Sequence, residues 1–118
     1  MNVLVLQIIF IGFGAFMGAS IRFLATVYLP LPLVTVNVLG SFLAGLSHSY
    51  FCNSPQSLVL LLFNIGFLGS LTTFSSFSLE AINYLLSGQF FKAIFYILLS
   101  VFSSLLCCYI GYKIGTTL

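Results

Sequence analysis

The stretch GSLTTFSSFSLE, residues 69–80, lies inside a long apolar run. Its twelve residues hold one glycine, four serines, two threonines, two phenylalanines three positions apart and the only acid of the chain, Glu80. Backbone and side chains in hydrocarbon cannot turn to water for hydrogen bonds, so a cluster of hydroxyls there needs a reason.

The surroundings are hydrocarbon on compositional grounds. The chain has 118 residues, 61% hydrophobic and 3% charged. A soluble domain carries about 25% charged residues to face water. Arg22, Glu80, Lys92 and Lys113 are the whole charge complement, so the solvent is lipid. A net charge of +2 gives no nucleic-acid footprint. Residues 1–21 hold no Lys or Arg, so the basic region of a cleaved leader is missing and the first apolar segment is expected to be retained. Cys52, Cys107 and Cys108 have no metal-ligand spacing and read as small packing residues.

Punctuation divides the chain into four segments: about 3–28, 33–51, 58–86 and 91–114. Pro30 and Pro32 mark the first turn, CNSPQS (52–57) the second and SGQ (87–89) the third. Each segment is near the ~20 residues a membrane helix needs. The expected fold is an all-α membrane protein of four transmembrane helices in one domain. The loops are short, so successive helices alternate in direction and both termini share a side. Four helices enclose little space, and oligomerisation is expected. Gly14-x-x-x-Gly18, Ala15-x-x-x-Ala19 and Gly111-x-x-x-Gly115 suit close helix contacts. Lys113 lies on the side of the termini, Arg22 and Lys92 on the other. A bias of one charge hardly fixes orientation, which leaves two possibilities: one fixed orientation, or insertion both ways and an antiparallel homodimer.

Intramembrane polar residues serve as helix glue or as functional groups. Asn37 reads either as a helix–helix hydrogen bond or as a donor in an aqueous path. Thr72, Thr73, Ser75 and Ser76 follow Gly66 and Gly69, and a break of the third helix near Gly69–Thr73 is expected, with bare carbonyls able to hold a cation. Phe74 and Phe77 share a helix face. They read as packing residues, or as ring edges whose weak positive potential favours a small anion. Glu80 reads as a proton-coupled site or an interfacial residue, and Arg22 as a snorkelling side chain. Tyr96 and Ser100 share a face of the fourth segment, with Ser103 and Ser104 roughly along it: a hydroxyl ladder for interhelical bonds, or for an ion giving up its water. His48, Gln7 and Gln89 look interfacial.

In this order the segments resemble the CrcB/Fluc family of fluoride channels, over almost the whole chain. GFGAFMGASIRF (12–23), TVNVLGSFLAG (35–45), GFLGSLTTFSSF (66–77) and YILLS (96–100) carry the resemblance, the third most specifically. It implies a dual-topology antiparallel dimer in the plasma membrane of a microbe, with two pores that let fluoride leave passively. It implies ring edges of Phe74 and Phe77 on the fluoride path, with Asn37, Tyr96 and Ser100, and Thr73 and Ser76 as pore neighbours. Arg22 and Glu80 match the charged residues near the pore entrances. Gly69 and Thr72 match carbonyls that hold a structural sodium ion at the dimer centre. Phe23 stands where Tyr is frequent and Ser76 where Thr is frequent, and Leu105 to Cys108 interrupt the far end of the ladder. Some members pair two unlike chains, so a paralogous partner is an alternative to a second copy.

A small multidrug-type exporter has similar size and topology. That chemistry needs a buried carboxylate in the first helix, and the sole acid here is in the third segment. With one His, one acid and no nucleophile–base pair, an enzyme is not expected.

Overall fold

A computed structural model describes residues 1–53 and 57–118. The loop residues 54–56, including Pro55, lie outside the described residues. The described residues are helical with short connections. Helix α1 is Val3–Tyr28 and α2 is Pro32–Tyr50. Helix α3, residues 58–71, joins Leu58–Leu60, a widened π-helical stretch Leu61–Leu68, and Gly69–Leu71. Helix α4 is Phe74–Leu86 and α5 is Phe90–Thr117.

Local chemistry sets the helix ends. The Asn2 side chain accepts the Leu4 amide at 3.1 Å and the Ser57 hydroxyl accepts the Leu60 amide at 3.1 Å, both satisfying free N-terminal donors. Pro32 belongs to the first turn of α2, where its missing N–H costs nothing. After α4, Gly88 adopts φ +77°. Its amide donates to Leu85 at 3.1 Å and that of Gln89 to Tyr84 at 2.9 Å. This paired closure is a Schellman motif and needs glycine at the left-handed position.

The closest packings join helices that are not consecutive: α1 lies against α3, and α2 against α5. Both pairs run parallel, since later residues of one helix meet later residues of the other. A Cβ on Gly14 would strike the Leu62 carbonyl, and one on Gly18 the Phe67 carbonyl. A Cβ on Gly111 would meet the Phe42 carbonyl, and one on Gly115 the Ser49 hydroxyl. Both glycine pairs noted in the sequence are therefore spent within the chain, where absent side chains let backbones approach.

Among the described residues, three helical stretches are long and apolar enough to cross a membrane: Val3–Tyr28, Leu58–Leu86 and Phe90–Thr117. The 19-residue α2 is not among them. It carries Thr35, Asn37, Ser41, Ser47, His48 and Ser49, which dilute its apolar character, and Ser47 and Ser49 are buried against the rest of the chain. Among the described residues, buried apolar side chains form two small clusters. Val36, Leu68 and Leu71 form one; Phe77, Ala81 and Tyr96 form the other. Most large apolar side chains point outward, as expected of a protein solvated by lipid.

Candidate functional site: a polar groove at a helix break

The third segment breaks at its threonines. Thr72 has φ −82°, ψ 149° and Thr73 has φ −149°, ψ 124°, both extended. Gly69 stays helical at φ −64°, ψ −29°, so the break expected over Gly69–Thr73 falls at its distal end. The glycine needs no special backbone conformation.

Side chains stitch the break. Asn37 on α2 accepts the Thr73 amide through Oδ1 at 2.8 Å and donates from Nδ2 to the Thr73 carbonyl at 3.1 Å. One amide thus satisfies both backbone groups of one extended residue, leaving its second N–H. The Thr73 hydroxyl caps α4 by accepting the Ser76 amide at 3.1 Å. Arg22 on α1 spans the break from another side. Its Nε donates to the Ser70 carbonyl at 3.0 Å and its Nη1 to the Ser76 hydroxyl at 3.5 Å. Gly40 lies where a Cβ would strike the Thr72 methyl, so the first glycine of the α2 motif makes room for the break.

These contacts divert helical donors. In an unbroken helix the Thr73 amide would bond the Gly69 carbonyl and the Ser76 amide the Thr72 carbonyl. Asn37 takes the first and the Thr73 hydroxyl the second. The carbonyls of Gly69 and Thr72 thereby lose their helical donors, while that of Ser70 gains Arg22.

Beside the break lies a groove of about 290 Å³. Asn37, Thr72, Thr73, Phe74, Phe77 and Ser100 line it, and Ser41 and Ser104 extend it. No charged side chain is among its lining residues. The Ser100 hydroxyl is the one buried side-chain polar atom without a hydrogen-bond partner among the described residues. Phe77 is 7% exposed and Phe74 77%, their ring centres 5.5 Å apart. The Phe77 ring stacks on Tyr96 at 5.4 Å. A second cavity of about 340 Å³ collects Arg22, Ser76 and Glu80 with Thr26 and Phe23.

Not every residue singled out in the sequence reaches the groove. Asn37, Thr73, Phe74, Phe77 and Ser100 come together. Ser76 turns to the cavity of Arg22 and Glu80. Tyr96 does not line the groove; its hydroxyl donates to Glu80 Oε2 at 3.1 Å. Of the two further serines of the ladder, Ser104 lines the groove while Ser103 bonds back to the Leu99 carbonyl. Tyr84, which donates to Glu80 Oε1 at 3.4 Å, was missed. So was the Ser47–Asn64 pair, joined at 2.6 Å; two polar residues in adjacent apolar segments were its only signal. Ser70 was also missed: its hydroxyl donates to the Ala15 carbonyl at 2.9 Å and to the Gly66 carbonyl at 2.8 Å.

Fold and site together define a multi-pass helical membrane protein with an uncharged groove beside a broken helix, lined by hydroxyls and one amide set among apolar and aromatic side chains. The chain belongs to the CrcB-like protein family: residues 9–112 match the family model described as "CrcB-like protein, Camphor Resistance (CrcB)". Among curated relatives, a protein of a Nitratiruptor species is 41% identical over 99 residues, covering 77% of each chain. One of Francisella tularensis subsp. mediasiatica is 35% identical over 122 aligned positions, covering 92% of this chain and 94% of its own. One of Campylobacter jejuni is 39% identical over 113, covering 88% and 93%. Each of these relatives is named "Fluoride-specific ion channel FluC".

Proposed function

We propose that this chain is a fluoride-specific ion channel that lets fluoride leave a microbial cell down its gradient. The observation that carries the reading is the Ser100 hydroxyl, buried, without a partner and lining the groove. A buried hydroxyl without a partner is costly, and an anion passing through the groove is an acceptor for it. Fluoride is small and strongly hydrated, so its path must offer donors in place of water. Ser100, the second N–H of Asn37 and the first amides of α4 are such donors, the last favoured by the helix dipole. The edges of Phe77 and Phe74 add weak positive potential. None of these is a full charge, so the ion is released as readily as it is bound. Arg22 is occupied at Ser70 and Ser76 and marks the entrance with Glu80. Tyr96 acts beside the path, behind Phe77.

The assembly is a dimer of two inverted copies with a pore on each side, and α2 makes the fourth crossing. Phe74, largely exposed at the groove's edge, is the ring the second copy covers. A structural sodium ion suits the Gly69 and Thr72 carbonyls, because both lose their helical donors at the break and carbonyl oxygens bind hard cations. Bound there, it would neutralise acceptors brought together at the seam. The exporter alternative has no support in the geometry, since the Glu80 carboxylate is engaged by two tyrosine hydroxyls.

The test is a fluoride-electrode efflux assay on liposomes holding this single chain. Rapid release is expected, abolished by Phe77→Ile in a protein that still elutes as wild type. Retention of fluoride by the wild type overturns the homodimer. Release restored only on adding a paralogous chain reassigns the protein as half of a mixed dimer.

A further inference from the structure

Glu80 is the one acidic side chain of the sequence, and an anion conduit gains nothing from a negative charge at its mouth. Its surroundings suggest a different task. The Tyr96 hydroxyl of α5 donates to Oε2 at 3.1 Å, and the Tyr84 hydroxyl, one turn along α4, lies 3.4 Å from Oε1. The cations nearby are directed elsewhere: Arg22 on α1 to Ser70 and Ser76, and Lys92 on α5 to the face of the Tyr84 ring at 4.7 Å.

Tyr96 is buried, and three contacts fix it. Glu80 holds its hydroxyl. Tyr84 meets its ring edge-on, centres 5.4 Å apart and planes at 71°. Phe77 stacks on its face at 25°. Phe77 and Glu80 stand three residues apart on one face of α4, so Tyr96 is gripped at both ends by the same helix. Phe77 itself lines the groove. Without Glu80 the buried phenol loses its acceptor, and a ring free to rotate away leaves Phe77 without its backing.

We infer that Glu80 is a positioning residue of the conduction path, acting through the Tyr96 hydroxyl to hold the Phe77 ring at the groove, and that its charge is not what the path uses. This rests on the fluoride-channel reading. The experiment is fluoride efflux from liposomes carrying wild type, Glu80→Gln, Glu80→Ala, Tyr96→Phe and the Glu80→Ala/Tyr96→Phe double variant, each matched to wild type by gel-filtration elution before reconstitution. Glu80→Gln keeps a carbonyl acceptor and should stay within about threefold of wild type, whereas Glu80→Ala and Tyr96→Phe should each lower efflux about tenfold. Because both act through one hydrogen bond, the double variant should be no slower than the slower single variant. Efflux that rises in Glu80→Gln, or that falls as far as in Glu80→Ala, overturns the inference in favour of a role for the charge. A double variant slowed by the product of the single effects also overturns it. Should Glu80→Ala fail to fold, the contrast between Glu80→Gln and Tyr96→Phe decides alone: the first near wild type and the second slowed supports the positioning role, and any other pattern overturns it. Wild-type vesicles that retain fluoride sink the channel reading and this role with it, whereas leaking wild-type vesicles with a failed contrast sink only this role.

Discussion

Ser100 and Asn37 line one groove and play opposite parts. Asn37 has Oδ1 and one N–H committed to the Thr73 backbone, so it acts first as a structural brace. Asn37→Ala should cost about 1–3 kcal/mol by leaving a part-buried amide and carbonyl without partners, read as a lower midpoint in denaturant. The Ser100 hydroxyl has no hydrogen-bond partner among the described residues. Ser100→Ala should leave thermal stability within about 0.5 kcal/mol of wild type while lowering fluoride efflux about tenfold or more, the worth of a hydrogen bond to a charged group. Equal stability with equal efflux would place the ion's route elsewhere. The residue types were legible in the sequence, because hydroxyls and an amide in hydrocarbon stand out. Their partners were not. Asn37 meets a residue 36 positions on, and Tyr96 a carboxylate 16 positions back. Periodicity places a residue on a face but does not say what the face meets.

At the scale of elements, Pro30, Pro32 and Gly88 mark connections that are legible in the sequence, and the described helices between them run close to the expected segments. The break was expected near glycine because glycine releases the backbone. It falls at the two threonines that close the expected Gly69–Thr73 stretch, where Asn37, Arg22 and the Thr73 hydroxyl replace the lost helical bonds. The widening over Leu61–Leu68 had no sequence signal. It accompanies the closest approach of α1 and α3, where a Cβ on Gly66 would strike the Ile11 carbonyl. That approach is testable through two glycines on α1. Gly18→Ala drives a methyl into the Phe67 carbonyl and the Ser70 hydroxyl, whereas around Gly12 nothing lies within 4 Å. Gly18→Ala should destabilise the fold by about 1–3 kcal/mol through overpacking. Gly12→Ala should be neutral or mildly stabilising, since alanine is the better helix former. Equal melting temperatures for the two variants would mean that the α1–α3 contact is looser than the Gly18 surroundings require.

For the whole molecule, the proposed inverted pair turns on the charge balance. Alternating segments put Lys113 near the termini and Arg22 and Lys92 toward the other side. Only Lys and Arg near span ends steer insertion, and a difference of one leaves orientation weakly specified. Cys52 supplies the reporter: it is exposed in the connection after α2, whereas Cys107 and Cys108 are partly buried on α5. In a protein with Cys107→Ala and Cys108→Ala, a membrane-impermeant maleimide applied to sealed spheroplasts should label about half of Cys52, because two insertions of nearly equal cost populate both sides. Permeabilisation should expose the remainder. Adding Leu29→Lys and Leu31→Lys at the α1–α2 turn widens the bias and should drive labelling to one extreme. The uniformly oriented protein should then lose fluoride efflux and regain it when co-expressed with a copy biased the opposite way. Labelling already confined to one side in the unbiased protein, with efflux intact, would remove the inverted homodimer and require a parallel assembly.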